Sequence, residues 1–117
     1  MNANPKVMAI AAHPDDVELL CAGTMARLAK AGHEVVLVHM TYGDKGGRDD
    51  PDELARTRHA EALESASLIG ATVDGRFCGD LELYPDEPTI ARLGELWRRH
   101  APDVVFTHRP DDYHPDH

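Results

Sequence analysis

Cysteine is scarce. The chain has two, Cys21 and Cys78. Two thiols cannot build the disulfide framework of a small secreted domain, and both read as reduced core residues. Long apolar runs are missing as well. The first, Val7-Met8-Ala9-Ile10-Ala11-Ala12, falls far short of the roughly 20 residues of a membrane helix. The N-terminus lacks the basic start and small-residue cleavage site of a secretion signal. The expectation is a cytoplasmic protein with no membrane span. Cations are in short supply too, 12 Lys+Arg against 21 Asp+Glu, for a net charge of −9. No basic stripe is present to neutralise phosphates, which excludes a general nucleic-acid binder. Repeats and low-complexity tracts are absent. What remains is a chain of 117 residues, 42% hydrophobic, which suits one folded domain over residues 1–117.

Short apolar runs alternate with longer helical patterns. Strands are predicted over Lys6–Ala12, Glu34–Thr41, Thr72–Cys78 and Asp103–His108. Helices are predicted over Val17–Ala31, from Asp50-Pro51 to Ile69, and from Asp86 or Glu87 to a stop before Pro102. Asp50, Pro51 and Glu53 form a capping pattern, and Gly32 and Gly70 are helix stops. Ile90, Leu93, Leu96 and Trp97 share one helical face, which places Trp97 in the core. The order β-α-β-α-β-α-β implies an α/β fold, a mostly parallel sheet covered by helices.

In such a sheet all strand C-termini lie on one edge, and ligands bind where the strand order reverses. Four loops gather there. They are His13–Asp16, Tyr42–Arg48, Gly79–Glu82 and Arg109–His117. If the first and fourth strands are neighbours, about 5 Å apart, two histidine-and-aspartate motifs face one another. His13 and Asp16 are three residues apart, as are His114 and His117. Zinc takes imidazole nitrogen and carboxylate oxygen, and a catalytic site uses three protein ligands and a water. Three of these four residues could bind one metal, with the fourth beside it. Asp15, next to a ligand, could act as general base in amide or ester hydrolysis. The plainer readings are that Asp15 or Asp16 caps the following helix and that His114 and His117 are solvated. The coincidence of an HxxD and an HxxH turn on one edge favours the metal.

His13-Pro14-Asp15-Asp16-Val17-Glu18 and His114-Pro115-Asp116-His117 resemble the two signature motifs of the PIG-L/LmbE-like deacetylases. Ala22-Gly23-Thr24, the strand Val35–Thr41 with Gly43-Asp44, Arg58-His59-Ala60-Glu61 and Leu68-Ile69-Gly70 fit the same family in order. The resemblance implies a Rossmann-like three-layer sandwich and one zinc per chain, held by His13, Asp16 and His117. It implies removal of an acetyl group from an N-acetylglucosamine-type conjugate, a small-molecule partner. Asp15 would be the general base, and His114 would stabilise the oxyanion or act as an acid near the departing amine. Arg58 would contact the sugar, and Asp80 would be a further substrate contact. Family members are usually much longer, and this sequence stops at His117, so the expected sheet is truncated at its C-terminal side. An unfinished sheet exposes an apolar edge, a route to homo-oligomers.

Two other readings compete. One is a non-catalytic metal-binding fragment. The other is a nucleotide-binding module, opposed by the turn after the first strand, where two carboxylates stand in place of a phosphate-cradling glycine turn. Gly43–Gly47 reads as a flexible loop at the pocket rim. His39 reads as a packed or hydrogen-bonded histidine, and His100 as a cation at a helix C-terminus. His108 could orient a ligand. Asp111 and Asp112 read as solvated, with an orienting contact to His114 as the alternative.

Overall fold

The computed structural model describes residues 4–117. Strands β1 (Val7–Ala11), β2 (Val35–Thr41), β3 (Thr72–Cys78) and β4 (Val104–Thr107) alternate with helices α1 (Asp16–Lys30), α2 (Pro51–Ile69) and α3 (Glu87–His100). Each expected element is present, with ends within one or two residues of the sequence reading. The sheet order is β3-β2-β1-β4, and every pairing is parallel. The chain moves outward from β1 to β3, then crosses back to lay β4 on the other side of β1. The order therefore reverses between β1 and β4, whose registers run Val7↔Val104 to Ile10↔Thr107. The loops after these two strands emerge side by side.

Period-two alternation divides the core between the two faces of the sheet. Val7, Ala9, Ala11, Val35 and Leu37 pack with Val17 and Met25 of α1 and Ala66 of α2. Met8, Ile10, Val36, Val38 and Met40 pack with Leu96 of α3. The result is three layers. β1 and β2 are buried along their whole length, which fits the apolar run of β1 and that of Val35–Val38 in β2. The edge strand β4 leaves Phe106 and Thr107 exposed.

The helix ends follow side-chain chemistry. Asp50 accepts the Glu53 backbone N–H and Asp86 that of Thr89, and Gly70 closes α2 with a φ of 78°. Trp97 departs from expectation at 43% exposed, whereas Leu96 is 1% exposed. The buried stripe of α3 centres on Leu93 and Leu96, so Ile90 and Trp97, seven residues apart, fall on its shoulder. Cys21 and Cys78 are free and half-buried.

β3 carries one extra residue against β2, since His39 pairs with Gly75 but Thr41 with Cys78. Gly75 sits at φ 105° against the His39 carbonyl, where a Cβ would collide. This bulge turns the end of β3 so that Asp80 lies under the loop that follows β2.

Candidate metal centre and active site

β1 runs into a tight turn in which the Asp15 and Asp16 N–H groups donate to the His13 carbonyl at 2.8 and 3.2 Å. Asp16 Oδ2 accepts the His13 N–H at 2.9 Å. The Asp16 carboxylate therefore folds back on the turn, and Asp15, the residue before α1, makes no side-chain capping bond. Neither aspartate is spent as a helix cap. After β4, a turn brings the His117 N–H to the His114 carbonyl at 3.2 Å.

These two turns meet. Asp16 Oδ2 lies 3.3 Å from His13 Nδ1 and 3.4 Å from His117 Nε2. One donor atom from each of the three residues falls within 4.8 Å of the others. Behind them, His13 Nε2 is 2.8 Å from Asp116 Oδ2, and His117 Nδ1 is 3.0 Å from Asp112 Oδ1. Two imidazole nitrogens and one carboxylate oxygen converge, each ring backed by a second carboxylate. That donor set fits a zinc-type cation with a coordination position left open. Two overlapping groupings, His13–His114–Asp116 and His108–Asp112–His117, also bring donors together. They fit less well, because nitrogens in them are already committed. His114 Nδ1 accepts the Asp116 N–H at 3.1 Å, and His108 Nε2 accepts the Ala12 N–H at 3.0 Å.

His108 stacks on His117 with ring centroids 4.0 Å apart and planes 5° from parallel. Burial and the neighbouring His117 hold its pKa below the usual histidine value, which keeps Nε2 an acceptor for Ala12. The Asp112 carboxyl is held low chiefly by the His114 backbone N–H, against partial burial, with His117 adding to the effect.

A cavity of about 290 Å³ opens beside the cluster, lined by His13, Asp15, Lys45, Arg58, Leu81 and His114 among others. With Nδ1 accepting a hydrogen bond, a neutral His114 carries its proton on Nε2 and is a donor at this wall. Arg58 Nη2 lies 3.3 Å from Asp15 Oδ1, and Nη1 donates to the Gly43 carbonyl at 3.1 Å. Arg58 thus ties the loop after β2 to the turn after β1. Gly43, at φ 73°, lies so close that a Cβ would press on Arg58 and Pro14.

Asp80, expected as a further substrate contact, lies at the base of the loop after β2. It is 6% exposed. Oδ1 accepts from Thr41 Oγ1 at 2.6 Å and Gly43 N at 3.0 Å, and Oδ2 from Lys45 N at 3.1 Å. Burial opposes its ionisation, but these donors and the nearby His13 hold the carboxyl below the usual range. Both oxygens hold the Gly43–Lys45 loop, and Asp80 is itself part of the cavity lining.

Residues 8–117 match the PIG-L family, described as GlcNAc-PI de-N-acetylase. The chain belongs to the PIG-L family. Among PIG-L relatives, a 1D-myo-inositol 2-acetamido-2-deoxy-alpha-D-glucopyranoside deacetylase of Corynebacterium diphtheriae is 31% identical, covering 96% of this chain and 48% of that protein. A 4-oxalmesaconate hydratase of Pseudomonas putida is 28% identical over 100% of this chain and 49% of its own. The crystal structure of an N,N'-diacetylchitobiose deacetylase from Pyrococcus horikoshii superposes with a TM-score of 0.85 at 35% identity, over 98% of this chain and 46% of that one. The PIG-L chain spans about half the length of the curated relatives it matches. Membership replaces the nucleotide-module reading, in keeping with Asp15, Asp16 and Glu18 crowding the α1 N-terminus where a phosphate would sit.

Three contacts escaped the sequence reading. Asp116 lies inside the second motif but had no role assigned; it is 7% exposed and also accepts the Leu81 N–H at 2.9 Å. Asp112 read as solvated, yet its side chain is 22% exposed and turned to His117. His39, 1% exposed, faces Glu18 Oε1 at 3.3 Å. A histidine inside an otherwise apolar strand was the available signal, because a buried polar group demands a partner.

Proposed function

We propose that this chain carries the centre of a zinc-dependent deacetylase acting on an N-acetylated amino-sugar conjugate. His13, Asp16 and His117 hold one zinc ion per chain. A bound zinc polarises the acyl oxygen and lowers the pKa of its water to about 7. Asp15, anchored by Arg58, takes a proton from the attacking water. His114 Nε2–H donates to the developing oxyanion, a stabilisation worth roughly 3–4 kcal/mol in comparable sites, and the proton taken up by Asp15 passes to the departing amine beside His114. Arg58, on the same wall, faces the sugar. Acetate and a free amine leave. Among the described residues no helix is long and apolar enough to cross a membrane, and the cavity suits a small molecule.

The observation that carries this reading is the meeting of His13, Asp16 and His117, with His13 also on the cavity wall that bears Asp15 and His114. The deacetylase relatives support the choice of substrate class. The test is release of acetate and primary amine from N-acetylglucosamine conjugates by the zinc-loaded protein. Asp15→Ala is expected to keep its zinc and lose about 10²- to 10⁴-fold in rate. Full activity in that variant would remove Asp15 from the reaction.

The hydratase relative favours a second reading, in which the same base and donor add water to an unsaturated carboxylate. Turnover of 4-carboxy-2-hydroxymuconate without amine release from any acetylated sugar would select it. Zinc binding with neither turnover would leave a non-catalytic metal-binding chain.

A further inference from the structure

We propose that Asp112 is a positioning residue for this centre: it holds the His117 ring so that Nε2, rather than a ring carbon, faces Asp16 and His13, and so sets the affinity for the metal. The proposal rests on the metal reading above.

The stack on His108 fixes the plane of the His117 ring. One freedom remains, a half-turn about the Cβ–Cγ bond that exchanges each nitrogen for a carbon. In the observed orientation Nε2 lies 3.4 Å from Asp16 Oδ2 and Nδ1 lies 3.0 Å from Asp112 Oδ1. After a half-turn, ring carbons would face both carboxylates. His117 Nδ1 is sealed from solvent and makes no well-aligned hydrogen bond, and Asp112 Oδ1, at 3.0 Å, is the carboxylate oxygen beside it. A carboxylate at that distance favours the ring proton on Nδ1 and leaves the Nε2 lone pair for a cation. It also makes that nitrogen more electron-rich.

Asp112 is itself held in place. Its Oδ1 accepts the His114 N–H at 3.1 Å. One carboxylate therefore sets the ring of a ligand and the backbone of the residue that faces the acyl oxygen. His13 has the matching arrangement with Asp116. The two ligand histidines are consequently oriented by two different carboxylates from the same ten-residue segment after β4.

The experiment measures zinc affinity by competition with a chromophoric chelator, for the unaltered protein, Asp112→Ala and Asp112→Asn. It adds the visible absorption spectrum of the cobalt-loaded forms and the melting of the metal-free forms. Asp112→Ala is expected to bind zinc about 100-fold more weakly and Asp112→Asn, which keeps an acceptor but no charge, about 10-fold. The cobalt bands should shift in Asp112→Ala, while the metal-free proteins melt together. Unaltered affinity and cobalt bands in Asp112→Ala would overturn the proposal. If Asp112→Ala does not fold, unaltered affinity in folded Asp112→Asn overturns it equally. If the unaltered protein binds no zinc, the metal reading fails first and this inference falls with it.

Discussion

Asp116 and His13, 103 residues apart in the chain, meet with Oδ2 and Nε2 at 2.8 Å. The contact closes the gap between the loops that follow β1 and β4. It also fixes the tautomer of His13, since an Nε2 that donates leaves Nδ1 free beside Asp16. Replacing Asp116 by alanine is expected to lower zinc affinity by about 10- to 100-fold. The Leu81 N–H loses its acceptor as well, so the loop after β3 should loosen. Metal content after dialysis against a weak chelator, with amide exchange at Leu81, checks both effects.

Glu18 and His39 form a second buried pair, beneath the turn that follows β1. His39 is opposite Ala11 in the sheet, two residues before His13, and both Glu18 carboxylate oxygens are sealed from solvent. Burial works to raise the Glu18 pKa, but the hydrogen bond and charge of His39, with other nearby groups, bring it below the usual value. Removing one partner leaves an uncompensated polar group in the interior. His39→Leu or Glu18→Leu is expected to cost roughly 3–5 kcal/mol, and the double replacement less than the sum of the two. Urea unfolding of the three variants measures the coupling, and strict additivity would show that the two side chains do not interact.

Asp74 joins β3 to the end of α3. Its Oδ2 accepts from His100 Nε2 at 2.6 Å and Arg99 Nη1 at 2.8 Å, and Oδ1 from the Gly75 N–H at 2.8 Å. Burial opposes ionisation, but these donors and positive charges hold the carboxyl below the usual Asp range. A carboxyl depressed in the folded state adds stability that is fully present above its unfolded pKa and is lost as the pH falls through its folded one. Asp74→Asn should therefore be less stable than the unaltered protein at pH 7, by roughly 1.5–3 kcal/mol. The difference should shrink as the pH drops below the ordinary Asp range. Urea midpoints at neutral and acid pH give the comparison, and a gap independent of pH would exclude this role for the Asp74 charge.

The element order was legible in the sequence because it rests on local rules. The apolar runs of β1 and β2, the caps at Asp50 and Asp86, and the stop at Gly70 are decided by neighbours within a few residues. The reversal point was legible too, because short connections and right-handed crossovers leave few places for β4. From that followed the meeting of the two histidine motifs. Trp97 was misplaced because the width of the buried stripe on α3 depends on how much sheet lies beneath it, which no periodicity records.

By itself, then, the sequence determined the α/β order, the family and the residues able to bind a metal, because each is written in contiguous motifs or in short-range periodicity. The tertiary structure alone decided what each polar side chain faces. Asp116 reaches back to His13, Asp112 takes His117 Nδ1, and Asp80 turns inward to Thr41 and the Gly43–Lys45 loop. These pairings depend on strand register, on the bulge in β3 and on the rotation of individual rings. Each was settled by the cost of leaving a buried donor or acceptor unmatched, and that cost exists only once distant segments have packed together.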